Sequence, residues 1–162
     1  MGFKNWETPK EFFKELDKEF HFTLDAAASH ENTLCVTYCT PDGIFYTGFG
    51  GGPVSMSGFF GNVDGLTMLW NGHRVFCNPP YDHTLTKWVE KAATSSVLSV
   101  LLLPPSIDTL WFHDYIWDDK THRPRTGVEV RFHKGRLAFN VEGKPGKAPR
   151  AGNMVVVFHN ET

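Results

Sequence analysis

Apolar residues recur along the chain with two periods. Phe12, Phe13, Leu16 and Phe20 fall on one face at helical spacing, with charged residues between them. Just before them, Thr8 is the predicted N-cap, Pro9 suits the first helical position, and Glu11 completes a Thr-x-x-Glu capping box. Phe22–Asp25 reads as a short strand running into Ala26-Ala27-Ala28-Ser29, where small side chains let a ligand approach the backbone. Arg74–Cys77 is a second short strand. Leu85, Trp88, Val89, Ala92 and Ala93 predict a second amphipathic helix, with Asp82 or Thr84 near its start. Val97–Leu103 is apolar except for Ser99 and stops at Pro104-Pro105, which predicts a strand covered on both faces. A helix through Leu110–Ile116 comes next. Val128, Val130 and Phe132 alternate with charged residues, and Met154–Phe158 gives a last apolar strand. Strands alternating with helices predict an α/β fold, one domain over residues 1–162. Its sheet is expected to be mixed, ending in an antiparallel C-terminal strand pair, with helices on both faces.

Residues 41–62 break the pattern. Seven glycines and two prolines among aromatic residues predict a loop or irregular hairpin, inserted into the α/β alternation. Phe59 and Phe60 within it are candidates to contact a ligand or to pack on the protein itself. Gly48-Phe-Gly50 has the look of a nucleotide-binding glycine loop, but Pro53 stands where the third glycine belongs.

With 162 residues, 41% of them hydrophobic and 21% charged, the chain is long and apolar enough to bury a core of its own. No run approaches the ~20 apolar residues needed to cross a bilayer, and the first residues lack a signal-peptide layout. Neither a membrane partner nor an oxidising compartment is expected, which points to the cytoplasm. Cys35, Cys39 and Cys77 read as buried thiols; with His30 they do not make four ligands at zinc spacings, so no metal is expected. Oligomeric state is not legible.

Charge is uneven. Residues 1–119 hold 7 Lys and Arg against 15 Asp and Glu, whereas residues 120–162 hold 9 against 3. A basic segment on an acidic body suggests a local polyanion contact. The candidate phosphate contacts are Arg123, Arg125, Arg131, Lys134, Arg136, Lys144, Lys147 and Arg150.

Asn78-Pro79-Pro80-Tyr81 carries the sharpest chemistry. It lies between a predicted strand and a helix, the position where open α/β sheets bind ligands. Asn78 can offer a side-chain carbonyl, and Pro79 a backbone carbonyl, to the two N–H groups of a planar amine. Two such acceptors favour the tetrahedral nitrogen formed when the amine attacks a methyl group. Tyr81 offers a flat face for a base taken out of its stack. Asn78 is neutral and serves as an orienting acceptor rather than a general base.

These residues, taken with others in order, resemble the phage-type Dam family of S-adenosylmethionine-dependent DNA N6-adenine methyltransferases. The resemblance runs through Trp6-x-Thr8-Pro9, Phe22-x-Leu24-Asp25-x-Ala27-Ala28 with Asn32, Asp64-Gly65-Leu66, Trp70 and Asn78–Tyr81. It continues through Trp88 with Ala92, Leu103-Pro104, Gly135-Arg136-Leu137-x-Phe139 and Val155–Phe158. It implies a Rossmann-like methyltransferase domain that binds S-adenosylmethionine and DNA, with the adenine flipped and Asn78–Tyr81 as its catalytic residues. Trp6, Thr8 and Pro9 would approach the methionine part of the cofactor, with Asn78 beside them. Asp25, Ala26 and Ala27 would lie at its amino acid and ribose, and Asp64 would accept a hydrogen bond from its adenine amine. Read from the residues alone, Asp25 can equally be a helix cap, Asp64-Gly65 a turn, and Trp6 a packed staple. Asp25-Ala-Ala-Ala-Ser also departs from the glycine-rich first motif of most methyltransferases. Other readings left open are a same-fold enzyme acting on protein glutamine or RNA, an inactive DNA-binding relative, and an enzyme that adds another group to adenine.

Overall fold

Six consecutive buried residues, Leu98–Leu103, form the strand around which the protein is built. A computed structural model describes residues 6–41, 44–46, 54–55, 64–146 and 151–160. In chain order the elements begin with β1 (Trp6–Glu7), α1 (Lys10–Phe20), β2 (Leu24–Asp25), β3 (Tyr38–Cys39), β4 (Ile44–Tyr46), β5 (Val54–Ser55), β6 (Val75–Cys77) and α2 (Leu85–Thr94). They continue with β7 (Leu98–Leu103), α3 (Leu110–Tyr115), β8 (Trp117–Asp118), β9 (Arg123–Pro124), β10 (Val128–Phe132), β11 (Asn140–Val141), β12 (Lys144–Pro145) and β13 (Met154–His159).

Eight strands make one mixed sheet in the order β10-β13-β7-β6-β2-β3-β4-β5. β3, β2, β6 and β7 run parallel, whereas β13 is antiparallel to both β7 and β10. The alternation of β7 explains why it is buried throughout. Leu98, Val100 and Leu102 join Phe13, Leu16 and Phe20 of α1 on one face. Leu101 and Leu103 join Trp88 and Val89 of α2 and Phe112 of α3 on the other. The one polar residue of the strand, Ser99, donates its hydroxyl to Ala92 O. The expected α/β architecture, mixed sheet, antiparallel C-terminal pair and helices on both faces are all present.

Two local expectations change. Thr8 does not cap α1: the helix begins after Pro9, with no side-chain cap, because the Thr8 hydroxyl faces Asn78 instead. Glu11 is paired with Lys14 rather than closing a capping box. Within residues 41–62, β4 and β5 pair antiparallel, in keeping with the expected hairpin, and extend the sheet beyond β3; Phe59 and Phe60 lie outside the described residues. A small sheet in the order β1-β11-β12 was not expected. It joins Trp6 to Val141 across most of the chain and lays the Trp6 ring 5.3 Å from that of Phe139.

Candidate active site

The parallel strands β2 and β6 end side by side, and each leads into a segment that is either short of bulk or rigid: Ala26-Ala27-Ala28 after β2, Asn78-Pro79-Pro80 after β6. A cavity of about 800 Å³ opens there. Its wall includes Trp6, Ala26–Asn32 in part, Asp64–Leu66, Asn78–Asp82 and Trp88. That volume lies within the ~300–1,000 Å³ usual for small-molecule sites.

Asn78 is held by its amide nitrogen. Nδ2 donates to the Thr8 hydroxyl at 3.1 Å and to the Trp6 carbonyl at 3.3 Å. A backbone carbonyl only accepts, so the nitrogen must face it, and Oδ1 is left as the available acceptor. The carboxamide is therefore aimed by the segment ahead of α1, which β1 ties to β11.

Tyr81 divides its two functions between its ends. Its hydroxyl donates to Leu102 O of β7 at 3.0 Å and accepts from Asn153 Nδ2 at 3.4 Å. Burial of that hydroxyl raises its pKa well above the ordinary value. Yet the residue as a whole is 40% exposed and lines the cavity. A ring pinned at its hydroxyl and open on its face is a ready stacking platform.

The opposite wall rests on Gly65. A Cβ there would lie 1.9 Å from Ala26 O and 2.8 Å from the Trp88 ring. Only glycine lets the 64–67 turn press against the end of β2. Asp64 shapes that turn, its Oδ1 accepting from the Leu66 and Thr67 N–H groups at 3.0 and 3.1 Å. Trp70 Nε1 donates to Gly65 O, and Lys91 Nζ of α2 donates to Leu66 O and Met68 O. Burial lowers the pKa of that lysine. Asp64 is thus a turn former and a cavity residue together. Trp70 was part of the resemblance without a role attached to it, whereas Asn153 and Lys91 support the site without any motif to mark them; the signal was only a polar residue at a position whose packing requires a partner.

Asp25 ends β2 beside the cavity. It does not line the large cavity. It is 3% exposed, accepts the Leu34 N–H through Oδ2 at 3.1 Å, and borders a second, much smaller space shared with Thr8, Asn32 and Asn78. Burial outweighs the hydrogen bonds from the Leu34 and Ala27 N–H groups and raises its pKa to about 6. Trp6, Ala26, Ala27, Asp64 and Asn78 do share the large cavity, while Pro9 lies on neither wall.

The described basic residues do not form one surface. Strand pairing sets Phe132 level with Met154 and Leu103 at the cavity end of the sheet, and Val128 level with Phe158 and Ser99 at the far end. Lys134 and Arg136, both exposed, lie just past the cavity end. Arg123 and Arg125 precede Val128 and belong to the far end, about 13 Å away at ~3.3 Å per residue. Arg125 donates to His113 O. Arg131 is paired with both oxygens of Glu19 at 2.6 and 2.7 Å and with Glu129 at 2.6 Å. Those carboxylates raise its pKa further, so its guanidinium is a structural clamp between β10 and α1 rather than a free phosphate ligand. Lys144 is on β12 of the small sheet; Lys147 and Arg150 lie outside the described residues.

Among the described residues, no group of three His, Cys, Asp or Glu side chains could hold a metal ion, and no helix is long and apolar enough to cross a membrane.

This parallel-stranded α/β frame, with its ligand-sized cavity at the strand ends, belongs with sheets that bind ligands beyond their carboxyl edges. The family model described as DNA N-6-adenine-methyltransferase (Dam) matches residues 3–44, which contain Trp6, Thr8, Pro9 and Asp25–Ala28 and stop before Asn78. A protein of Escherichia phage T1 named DNA N-6-adenine-methyltransferase is 26% identical over 160 residues, covering 91% of this chain and 58% of that protein. The chain is similar to the phage-type Dam family, as its motifs suggested, and spans little more than half the length of the phage relative.

Proposed function

We propose that the protein transfers methyl from S-adenosylmethionine to the N6 amine of adenine in DNA, on a Rossmann-like methyltransferase domain. The observation that carries this reading is the fixed direction of the Asn78 carboxamide beside the open face of Tyr81. The names of the matching family and of the phage relative support it.

The cavity suits the cofactor. Its volume, the alanines after β2, the glycine-dependent turn at Asp64-Gly65, and a buried Trp88 N–H with no acceptor among the described residues all fit a small ligand with polar groups. When bound, S-adenosylmethionine supplies a methyl group on a sulfonium centre. Ala26, Ala27 and the 64–66 turn would hold it, with Asp64 Oδ2 left to accept from an amine. Asn78 Oδ1 accepts one N6–H of the adenine and the Pro79 carbonyl the other, raising the electron density of a poor nucleophile. Pro80 has no N–H to compete. The Tyr81 ring stacks on the base and excludes water from one face. The amine's surplus proton leaves through solvent after transfer.

Nucleoside mass spectrometry of DNA from cells producing the protein tests this directly. N6-methyladenine above background is expected, and its loss in Asn78→Ala. Unmodified DNA, with a modified glutamine or RNA base instead, would overturn the choice of substrate.

A further inference from the structure

Phe132 ends β10 with 67% of its surface exposed, although Val128 and Val130 on the same face pack against the core. A single exposed apolar side chain is ordinary on a protein surface. Three features set this one apart. Its pairing through Met154 to Leu103 places it at the cavity end of the sheet. Gly135, in the left-handed region at φ 87°, turns the chain just beyond it, between exposed Lys134 and Arg136. And the Tyr81 hydroxyl is bonded to Leu102 O, so the stacking platform leans from β6 toward β7, in the direction of β10.

Resting on the DNA methylation reading, we propose that Phe132 enters the duplex and fills the gap left by the extruded adenine, while Lys134 and Arg136 hold the flanking phosphates. Three strand spacings separate β6 from β10, about 14 Å at ~4.8 Å each. That span is comparable to the ~12 Å width of a major groove. One end of the sheet can therefore hold the base at Tyr81 and still reach the stack it left. The ring replaces lost stacking surface with apolar contact, which offsets the cost of unstacking and slows return of the base. The two cations supply attraction without reading sequence.

Phe132→Ala removes a side chain the fold barely uses, so the variant is expected to unfold at the same temperature as the parent. Methyl transfer should fall about ten- to hundredfold on a fully paired duplex, as for loss of one stacking contact. On single-stranded DNA of the same sequence it should stay unchanged, and placing the target adenine opposite an abasic site should restore most of the loss. Fluorescence of 2-aminopurine at the target position should rise on binding to the parent and rise less with the variant. Equal losses on single and double strands, or none on the duplex, overturn the wedge. Activity of the parent confined to single strands also overturns it while leaving the methylation reading intact. Absence of methylation by the parent on any DNA overturns the reading beneath it and the wedge with it.

Discussion

The amide nitrogen of Asn78 lies 3.1 Å from the hydroxyl of Thr8, a residue 70 positions earlier in the chain. The bond turns what would be a helix cap into the part that aims the acceptor. Thr8→Val keeps the shape and removes the hydroxyl, leaving the carboxamide held by the longer bond to the Trp6 carbonyl alone. Turnover should fall by about tenfold, the worth of one ~1.4 kcal/mol hydrogen bond, with Thr8→Ser near normal. Asn78→Ala should cost more, about 10²–10³ in kcat. Cofactor affinity, read by calorimetry, should move little in either. A Thr8→Val variant with unchanged kcat would make the bond incidental.

Gly65→Ala would drive a Cβ into the carbonyl oxygen of Ala26. Backbone on both sides cannot yield cheaply, so the 64–67 turn must lift from β2. A stability loss of about 1–3 kcal/mol is expected, as for overpacked sites, together with a drop in affinity for S-adenosylmethionine. Thermal unfolding and calorimetry read the two effects, and a variant normal in both would place the cavity wall elsewhere.

Asp25 makes stability depend on pH in an unusual direction. Burial raises its carboxyl from the ordinary 3.8 to about 6, so the folded protein favours the neutral form. Below pH about 4 both folded and unfolded chains are protonated there, and no penalty arises. Between about 4 and 6 the unfolded chain has released its proton and the folded one has not. Stability contributed by this residue is lost across that window, by about 3 kcal/mol for some two pH units. Asp25→Asn lacks the titration, so urea unfolding of parent and variant should diverge in the parent's disfavour as pH rises from 4 to 7. A difference that stays constant with pH would refute it.

The two ends of the sheet should respond differently to loss of charge. Arg136→Ala should flatten the salt dependence of DNA binding by about one phosphate's worth, a slope change near 0.9, without affecting stability. Arg125→Ala removes the tie to His113 O and should lower the melting temperature while leaving the slope alone. Arg131→Ala should behave like Arg125→Ala, because its guanidinium is held by Glu19 and Glu129. Filter binding over a salt series separates the cases; a changed slope for Arg125→Ala would move the DNA contact to the far end.

How much of the molecule is legible in its sequence depends on the range of the interactions involved. Periodicity located α1, α2, β7 and β13 because each buries a continuous face, and the pattern of that face is local. Asn78–Tyr81 was legible because strand, rigid turn and helix adjoin in the chain. What the sequence left open mostly involves partners distant along the chain. Thr8 has every local mark of a cap, and only the arrival of Asn78 gives its hydroxyl another use. Arg123, Arg125 and Arg136 look alike as a basic run, but β10 carries them to opposite ends of the sheet. Arg131 looks free until the end of α1 brings Glu19 against it. β1 and β11 are too short to show any period, so the small sheet had no signature at all.

That small sheet has a consequence for the order in which the molecule comes together. Trp6 pairs with Val141, closing a loop that encloses nearly the whole chain, and such long closures are reached late in folding. A chain emerging at about 5–20 residues per second will have made Asn78 well before Val141 exists. Until then the segment that points its carboxamide lacks its strand partner β11. β13, which lies between β7 and β10 in the main sheet, is made later still, so the sheet and the aim of the acceptor are both completed only once the C-terminal strands have arrived.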